Sequence, residues 1–224
     1  MFLDWSTPIR NMPTILNGAL VTMAITLSVF AISLIFGTFF GYLRYKKVNR
    51  LVDGILGIYI DVMRNTPLLV QIFFIFYGLP QFHIMIPSVP AGMIALSLCI
   101  TAYVAEIIRG GIESVPFGQW EAGRTLNLSK FCIFWHIIFP QTMRNVFPSL
   151  INQFAQTIFS TSLLCAIDVK DLMQQTTILN SRTFRTLELY VAALIVYYCL
   201  TIASTTVLRF INRRYFPSLS RRGE

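Results

Sequence analysis

Charge is what this sequence has least of. Asp, Glu, Lys and Arg make up 12% of its 224 residues, against 55% hydrophobic; a soluble domain carries about 25% charged residues. The few charges are clustered, so residues 11–43, 65–105, 145–167 and 189–208 contain none. A membrane helix needs about 20 mostly apolar residues, and each interval is long enough to supply one. A soluble fold is excluded, and the pattern implies an all-α polytopic membrane protein. Also missing is any G-x-x-x-x-G-K-[ST] phosphate loop, so a nucleotide site must lie on another polypeptide. No Ser/His/Asp or Cys/His set is apparent, so no enzyme activity of its own is expected and no catalytic residue is assigned. The cysteines are few and scattered (Cys99, Cys132, Cys165, Cys199), with no C-x-x-C pair; they read as small buried hydrophobes. His83 and His136 have no ligand partner at metal spacing, so no metal is expected. No aromatic-basic motif points to nucleic acid, and the aromatics, 19 Phe among them, read as lipid contact and packing.

The interval 65–105 holds more than one crossing, because Pro80, Pro87 and Pro90 interrupt it and proline breaks a helix interior. Five transmembrane helices follow, at about 17–43, 54–79, 91–112, 145–167 and 187–209, in a single transmembrane domain over 1–224. The first is too long, and lacks the small-residue cleavage site, for a removable signal peptide. An odd number of spans puts the termini on opposite sides. Thirteen Lys and Arg fall on one side: Arg44, Lys46, Lys47 and Arg50; Arg109, Arg124, Lys130 and Arg144; and the tail from Arg209 to Arg222. Only Arg10, Lys170, Arg182 and Arg185 fall on the other. The positive-inside rule places the N-terminus outside and the tail in the cytoplasm. The net charge of +8 then reflects sidedness and anionic lipid contact.

The longest cytoplasmic connection, residues 113–144, contains EAGRTLNLSKFCIFWHIIFP. QWEAGRTL supports a short helix, with Glu121 and Arg124 neighbours at i, i+3. Asn127 tolerates the left-handed conformation and suits a helix stop. Ser129 is placed to cap a second short helix carrying Phe131, Phe134, Trp135 and Ile138, and Pro140 is expected to end it. Two short helices with a bend between them make a rigid knob, which suits either lipid headgroups or a groove on a soluble partner.

The stretch resembles the EAA loop of ABC importer permeases: E-A-A, three residues, G, nine residues, I, one residue, L-P. Here the positions are Glu121, Ala122, Gly123, Asn127, Ile137, Phe139 and Pro140. Gly123 stands for Ala, Asn127 for Gly and Phe139 for Leu. Asn127 keeps the left-handed option, whereas Gly123 costs up to about 1 kcal/mol of helix propensity and is expected to loosen the first turn. RNTPLLVQIFFIFYGLP (64–80) is similar to the R-G-T-P-L motif of the polar amino acid subfamily. AYVAEIIRGGIESVPFGQWEA (102–122) and STSLLCAI (160–167) also follow it. The resemblance implies a type I ABC importer permease-like fold, with the loop as a cytoplasmic coupling helix. It implies a bacterial inner-membrane location and an ATP-driven importer moving a polar amino acid by alternating access. The partners implied are a cytoplasmic ABC ATPase dimer carrying ATP and Mg, a second identical or homologous permease subunit, and an extracytoplasmic amino-acid-binding protein. This chain would hold no cofactor itself. The competing classes are a stand-alone secondary transporter or channel, and a non-transporting scaffold; the former predicts buried ionisable residues and an inverted repeat, neither of which is found.

In the fourth span, Ser149, Asn152, Gln153, Gln156, Thr157 and Ser160 recur at steps of three and four, on one helical face. Such residues either glue helices together or line a path. Gln153 sits where relatives importing cationic amino acids often carry an acid, and Phe159 and Ser160 replace the subfamily's Lys-Asp; a neutral polar or acidic substrate is favoured over a cationic one. Three more charges lie near membrane depth. Asp61 and Arg64, at i, i+3, are expected to pair. So are Glu106 and Arg109, which would position the coupling loop.

Overall fold

The computed structural model describes residues 4–215, so Arg221 and Arg222 of the tail lie outside the described residues. Helices account for nearly every element. They are α1 (Ser6–Arg10), α2 (Met12–Lys46), α3 (Arg50–Asn65), α4 (Leu68–Phe73), α5 (Ser88–Glu113), α6 (Gly118–Thr125), α7 (Lys130–Ile133), α8 (Phe139–Thr161), α9 (Leu172–Thr183) and α10 (Thr186–Tyr215). Among the described residues, four rods are long and apolar enough to cross a bilayer: Met12–Lys46, Ser88–Glu113, Lys130–Ile167 and Thr186–Tyr215.

The expected second span is not one straight helix. α3 ends at Asn65 and α4 begins at Leu68, and the two arms, Arg50–Asn65 and Leu68–Phe82, meet at 109°. The cause is local. Pro67 forces Thr66 out of the helical region, and Thr66 takes φ −115° and ψ 144°. Counting the bent pair as one crossing gives five.

Proline acts differently at Pro140, which was expected to end the second short helix of the 113–144 connection and does not. α7 runs through a π turn, Phe134–Ile138, directly into α8, with Pro140 in its first turn. The Phe139 amide donates to the Phe134 carbonyl five residues back. This wide turn makes room for the proline ring and removes the need for the donor proline lacks. The same device precedes Pro80, where the Leu79 amide donates to the Phe74 carbonyl. The fourth of the five spans therefore starts at Lys130, well before residue 145.

At the centre is α5, packed along α2. Ser33 Oγ donates to the Ser97 carbonyl at 3.3 Å. A Cβ on Gly37 would lie 2.6 Å from Val104, and one on Gly41 2.5 Å from the Ala105 carbonyl oxygen. Residue numbers rise together along both helices, so they run in the same direction. The S-x-x-x-G-x-x-x-G spacing lets the two backbones approach, which matters where lipid supplies no hydrophobic drive for helix association. On its next face α5 receives α8, where Gly111 lies beneath Val146. Beside them α9 folds back on the start of α2, with Gly18 against Leu172. α10 is the outermost rod, and most of its apolar side chains are exposed.

Candidate functional site: a coupling knob, a charge hub and an open amide face

The knob is built from α6 and α7. α6 ends in a Schellman arrangement: Asn127 N donates to the Arg124 carbonyl at 2.9 Å, and Leu128 N to the Gly123 carbonyl at 3.1 Å. Asn127 takes φ 55°, the left-handed conformation proposed for it. Ser129 caps α7 by accepting from the Cys132 amide at 3.2 Å. Gly123 does not loosen its turn. It is buried against fully buried Ile133, and an added Cβ would lie 2.7 Å from that side chain. The glycine is what lets α6 and α7 close on each other. Glu121 and Ala122 are exposed, while Ile137 and Pro140 are half-buried. Around them Phe117, Leu126, Phe131 and Trp135 present apolar surface.

A charge hub sits where α2, α3 and α5 meet. Glu106 pairs with Arg109 at 2.8 Å, Arg44 at 3.5 Å and Arg64 at 3.7 Å. Arg44 also reaches Asp53 at 3.3 Å, and Arg109 reaches Glu113 at 2.7 Å. The expected Glu106–Arg109 pair is present; the expected Asp61–Arg64 pair is not. Arg64 turns to the more shielded Glu106 and lies over the Tyr103 ring, 5.5 Å from its centroid. Asp61 is exposed, where water screens any gain from pairing.

The polar face of α8 contrasts with the hub. Ser149, Asn152 and Gln156 are exposed, and Gln153 and Ser160 half-buried. Among the described residues no side-chain hydrogen bond ties any of the five to another helix. Thr157, assigned to the same face, is buried and donates to the Gln153 carbonyl at 2.8 Å, so it belongs to the helix rather than the opening. α8 thus turns its apolar side to the core and three amides outward.

Comparison with known proteins fits this arrangement. Residues 33–217 match the model of a family described as the binding-protein-dependent transport system inner membrane component. The chain belongs to this family. It is a multi-pass inner-membrane permease of the ABC importer type. The L-cystine transport system permease protein TcyB of Bacillus subtilis is 34% identical over 90% of this chain and 86% of its own. The glutamine transport system permease protein GlnP of Escherichia coli is 32% identical over 96% and 98%. Among solved structures, an amino acid ABC transporter crystallised with histidines aligns at TM-score 0.89 and 33% identity. It covers 96% of this chain and 100% of that one. An inward-facing MetNI methionine transporter aligns at TM-score 0.68 and 17% identity, over 89% and 97%, and shows the shared fold.

Several residues of the permease that carry this architecture were not found from sequence. Arg44 and Asp53 lie nine residues apart across a turn, and no local spacing reveals that both join the hub. Gln71 stitches the α3–α4 break, its Nε2 donating to the Met63 carbonyl at 2.9 Å and Thr66 Oγ1 at 2.8 Å; the adjacent R-N-T-P motif was the available signal. Asp171 caps α9, accepting from the Gln174 amide at 2.9 Å, and is fully buried beside Tyr197. Burial pushes its carboxyl up to about 6.

Proposed function

We propose that this permease moves a polar amino acid, neutral or acidic rather than cationic, along the amide face of α8. The observation that carries this reading is that Asn152, Gln153 and Gln156 stand on one face of α8, exposed or half-buried, with no side-chain hydrogen bond to another helix among the described residues. Polar side chains are costly in a membrane unless they meet water, protein or cargo. Amides supply both donors and acceptors, which suits the carboxylate, ammonium and polar side chain of an amino acid. The same face holds no acid to balance a cationic side chain. Relatives named for cystine and glutamine transport support the substrate class.

One subunit leaves the face open on one side, so a second permease, identical or homologous, closes the path. The knob is the joint to the power source. Glu121 and Ala122, ringed by Phe117, Leu126, Phe131 and Trp135, fit a groove on a cytoplasmic ABC ATPase dimer, where ATP and Mg reside. An extracytoplasmic binding protein delivers the substrate, and the N-terminus lies outside with the tail in the cytoplasm. ATP binding and hydrolysis toggle inward- and outward-facing states through the knob.

The test is the Glu121→Lys variant, co-expressed with its ATPase and reconstituted with its binding protein. It is expected to insert normally, associate weakly with the ATPase and lose substrate-stimulated hydrolysis. Full transport with unchanged ATPase association would remove the knob from the coupling role.

A further inference from the structure

On the flank of the α2–α5 pair that carries no residue of α8 lies a groove of about 770 Å³. Its walls are apolar: Phe36 and Phe40 of α2, Ile55 and Tyr59 of α3, Ile94 and Leu98 of α5. The Tyr59 hydroxyl offers no free polarity, because it donates to the Leu98 carbonyl at 2.7 Å. The volume is within the roughly 300–1,000 Å³ of small-molecule sites, yet nothing in the walls would orient a polar ligand.

α3 supplies the second half of the argument. It is strongly amphipathic. Asp53, Gly57, Asp61 and Arg64 share one side, where Arg44 lies against Gly57 and bonds Asp53. The other side exposes Leu51, Ile55, Ile58 and Val62 and continues into the groove through Ile55. The helix lies at 109° to the arm that follows it, as an interfacial helix lies across a span. Where α2 ends and α3 begins, Lys46, Lys47 and Arg50 are all exposed. Lys46 lies over the Tyr42 ring, and no acidic side chain pairs with any of the three among the described residues. Arg50 is five residues from Ile55, about 8 Å along the helix. A cationic shelf therefore adjoins a long apolar slot.

We infer that this groove is a binding site for an anionic phospholipid, one acyl chain lying between α2, α3 and α5 and the phosphate held by Lys47 and Arg50. The apolar walls match a hydrocarbon chain, and the shelf matches a headgroup of net negative charge. Under the orientation proposed above, the lipid comes from the cytoplasmic leaflet. It anchors α3, and through Arg64 and Glu106 it bears on the junction from which the coupling loop emerges.

The test uses the assembled transporter in phosphatidylcholine nanodiscs containing trace phosphatidylglycerol with a diazirine on one acyl chain. A matched phosphatidylcholine probe is the control, and labelled peptides are mapped by mass spectrometry. Labelling by the anionic probe is expected to concentrate in residues 32–40, 55–59 and 90–101 and to exceed that by the control. A cation at a membrane surface contributes about a factor of five to anionic lipid binding, so Lys47→Gln with Arg50→Gln should lower anionic labelling about 30-fold. The control labelling should stay unchanged. Ile94→Trp, which fills the slot, should remove labelling by both probes from these three segments. If that variant fails to assemble, the two glutamine substitutions alone decide. Equal labelling by the two probes overturns the proposal. So does efficient disulfide formation between two copies through Ile94→Cys, which would make the groove a subunit interface. The readout does not depend on transport, so its failure leaves the substrate reading intact and the reverse also holds.

Discussion

Two groups of polar residues in this permease are built in opposite ways. At the junction of α2, α3 and α5, Glu106 meets three arginines from three helices, and their remaining charge is taken up by Asp53 and Glu113. On α8, three amides and two hydroxyls share an exposed to half-buried face, and among the described residues none of their side chains is tied to another helix. A saturated network has nothing left to offer a ligand, and its energy goes into fixing helices relative to one another. An unsaturated face in a membrane protein is waiting for something else. Polar residues at membrane depth are thus not all evidence of a pathway; what separates scaffold from path is whether the chain itself answers their hydrogen bonds.

Breaking the saturated side should have the largest effect. Glu106→Gln leaves three guanidinium groups facing one another without their shared acid. Removing one partner of a shielded ion pair costs about 3–5 kcal/mol; with Glu106 still 19% exposed, the lower end applies. A loss of about 3 kcal/mol corresponds to a fall in unfolding midpoint of roughly 6–12 °C for a chain of this size. A thermal-shift measurement on the purified complex checks it, and a midpoint within experimental scatter of wild type would show the hub to be ornamental.

Asp171 offers a sharper version of the same contrast, because it is buried but incompletely compensated. Its carboxyl is raised by burial to about 6 from 3.8. A raised value means that the folded state favours the protonated form. The stabilising contribution is then fully present below about pH 4 and is lost as pH rises to about 6. The span of about two units is worth at most roughly 3 kcal/mol. Asp171→Asn keeps a good helix cap and should flatten the pH dependence of the unfolding midpoint between pH 4 and 6. An unchanged slope would mean that Asp171 does not titrate in that window.

Smaller effects are expected in the knob. Gly123→Ala gains up to about 1 kcal/mol of helix propensity but forces a methyl against Ile133, and such overpacking costs about 1–3 kcal/mol. The expected net loss is about 1 kcal/mol, with α6 displaced from α7 and ATPase stimulation by substrate reduced. Asn127→Gly should be tolerated, whereas Asn127→Val should uncouple hydrolysis from transport, because a β-branched residue is disfavoured at φ 55°. A Val variant that couples as well as wild type would sever the link between the bend and coupling.

Much of this was legible in the residues. Charge-free intervals located the apolar rods, and side-chain chemistry located the left-handed Asn127 and the Ser129 cap. Period and polarity put Ser149, Asn152, Gln153, Gln156 and Ser160 on one face. What escaped was non-local. The pattern around Pro140 reads as a stop, yet the chain inserts a π turn there and continues; Pro67, inside an apparently single span, bends the path by 109°. A linear pattern does not say whether a neighbouring turn will absorb a missing donor. Spacing at i, i+3 paired Asp61 with Arg64, but Arg64 found a better-shielded acid on another helix. By propensity Gly123 is only a weak helix former, and its role lies in the close contact with Ile133 on the neighbouring helix.

In the proposed transport path the α8 amides meet cargo. This is tested most directly by competitive uptake of neutral, acidic and basic amino acids into vesicles containing the assembled transporter with Gln153 or Gln156 replaced by Leu. An unanswered polar group at a buried contact costs about 1–3 kcal/mol. The half-saturating substrate concentration should therefore rise roughly 5- to 150-fold while ATPase assembly is retained. Gln153→Glu should shift preference from acidic toward basic substrates. Unchanged affinity and selectivity in all three variants, with the complex intact, would contradict the account and return these glutamines to helix packing.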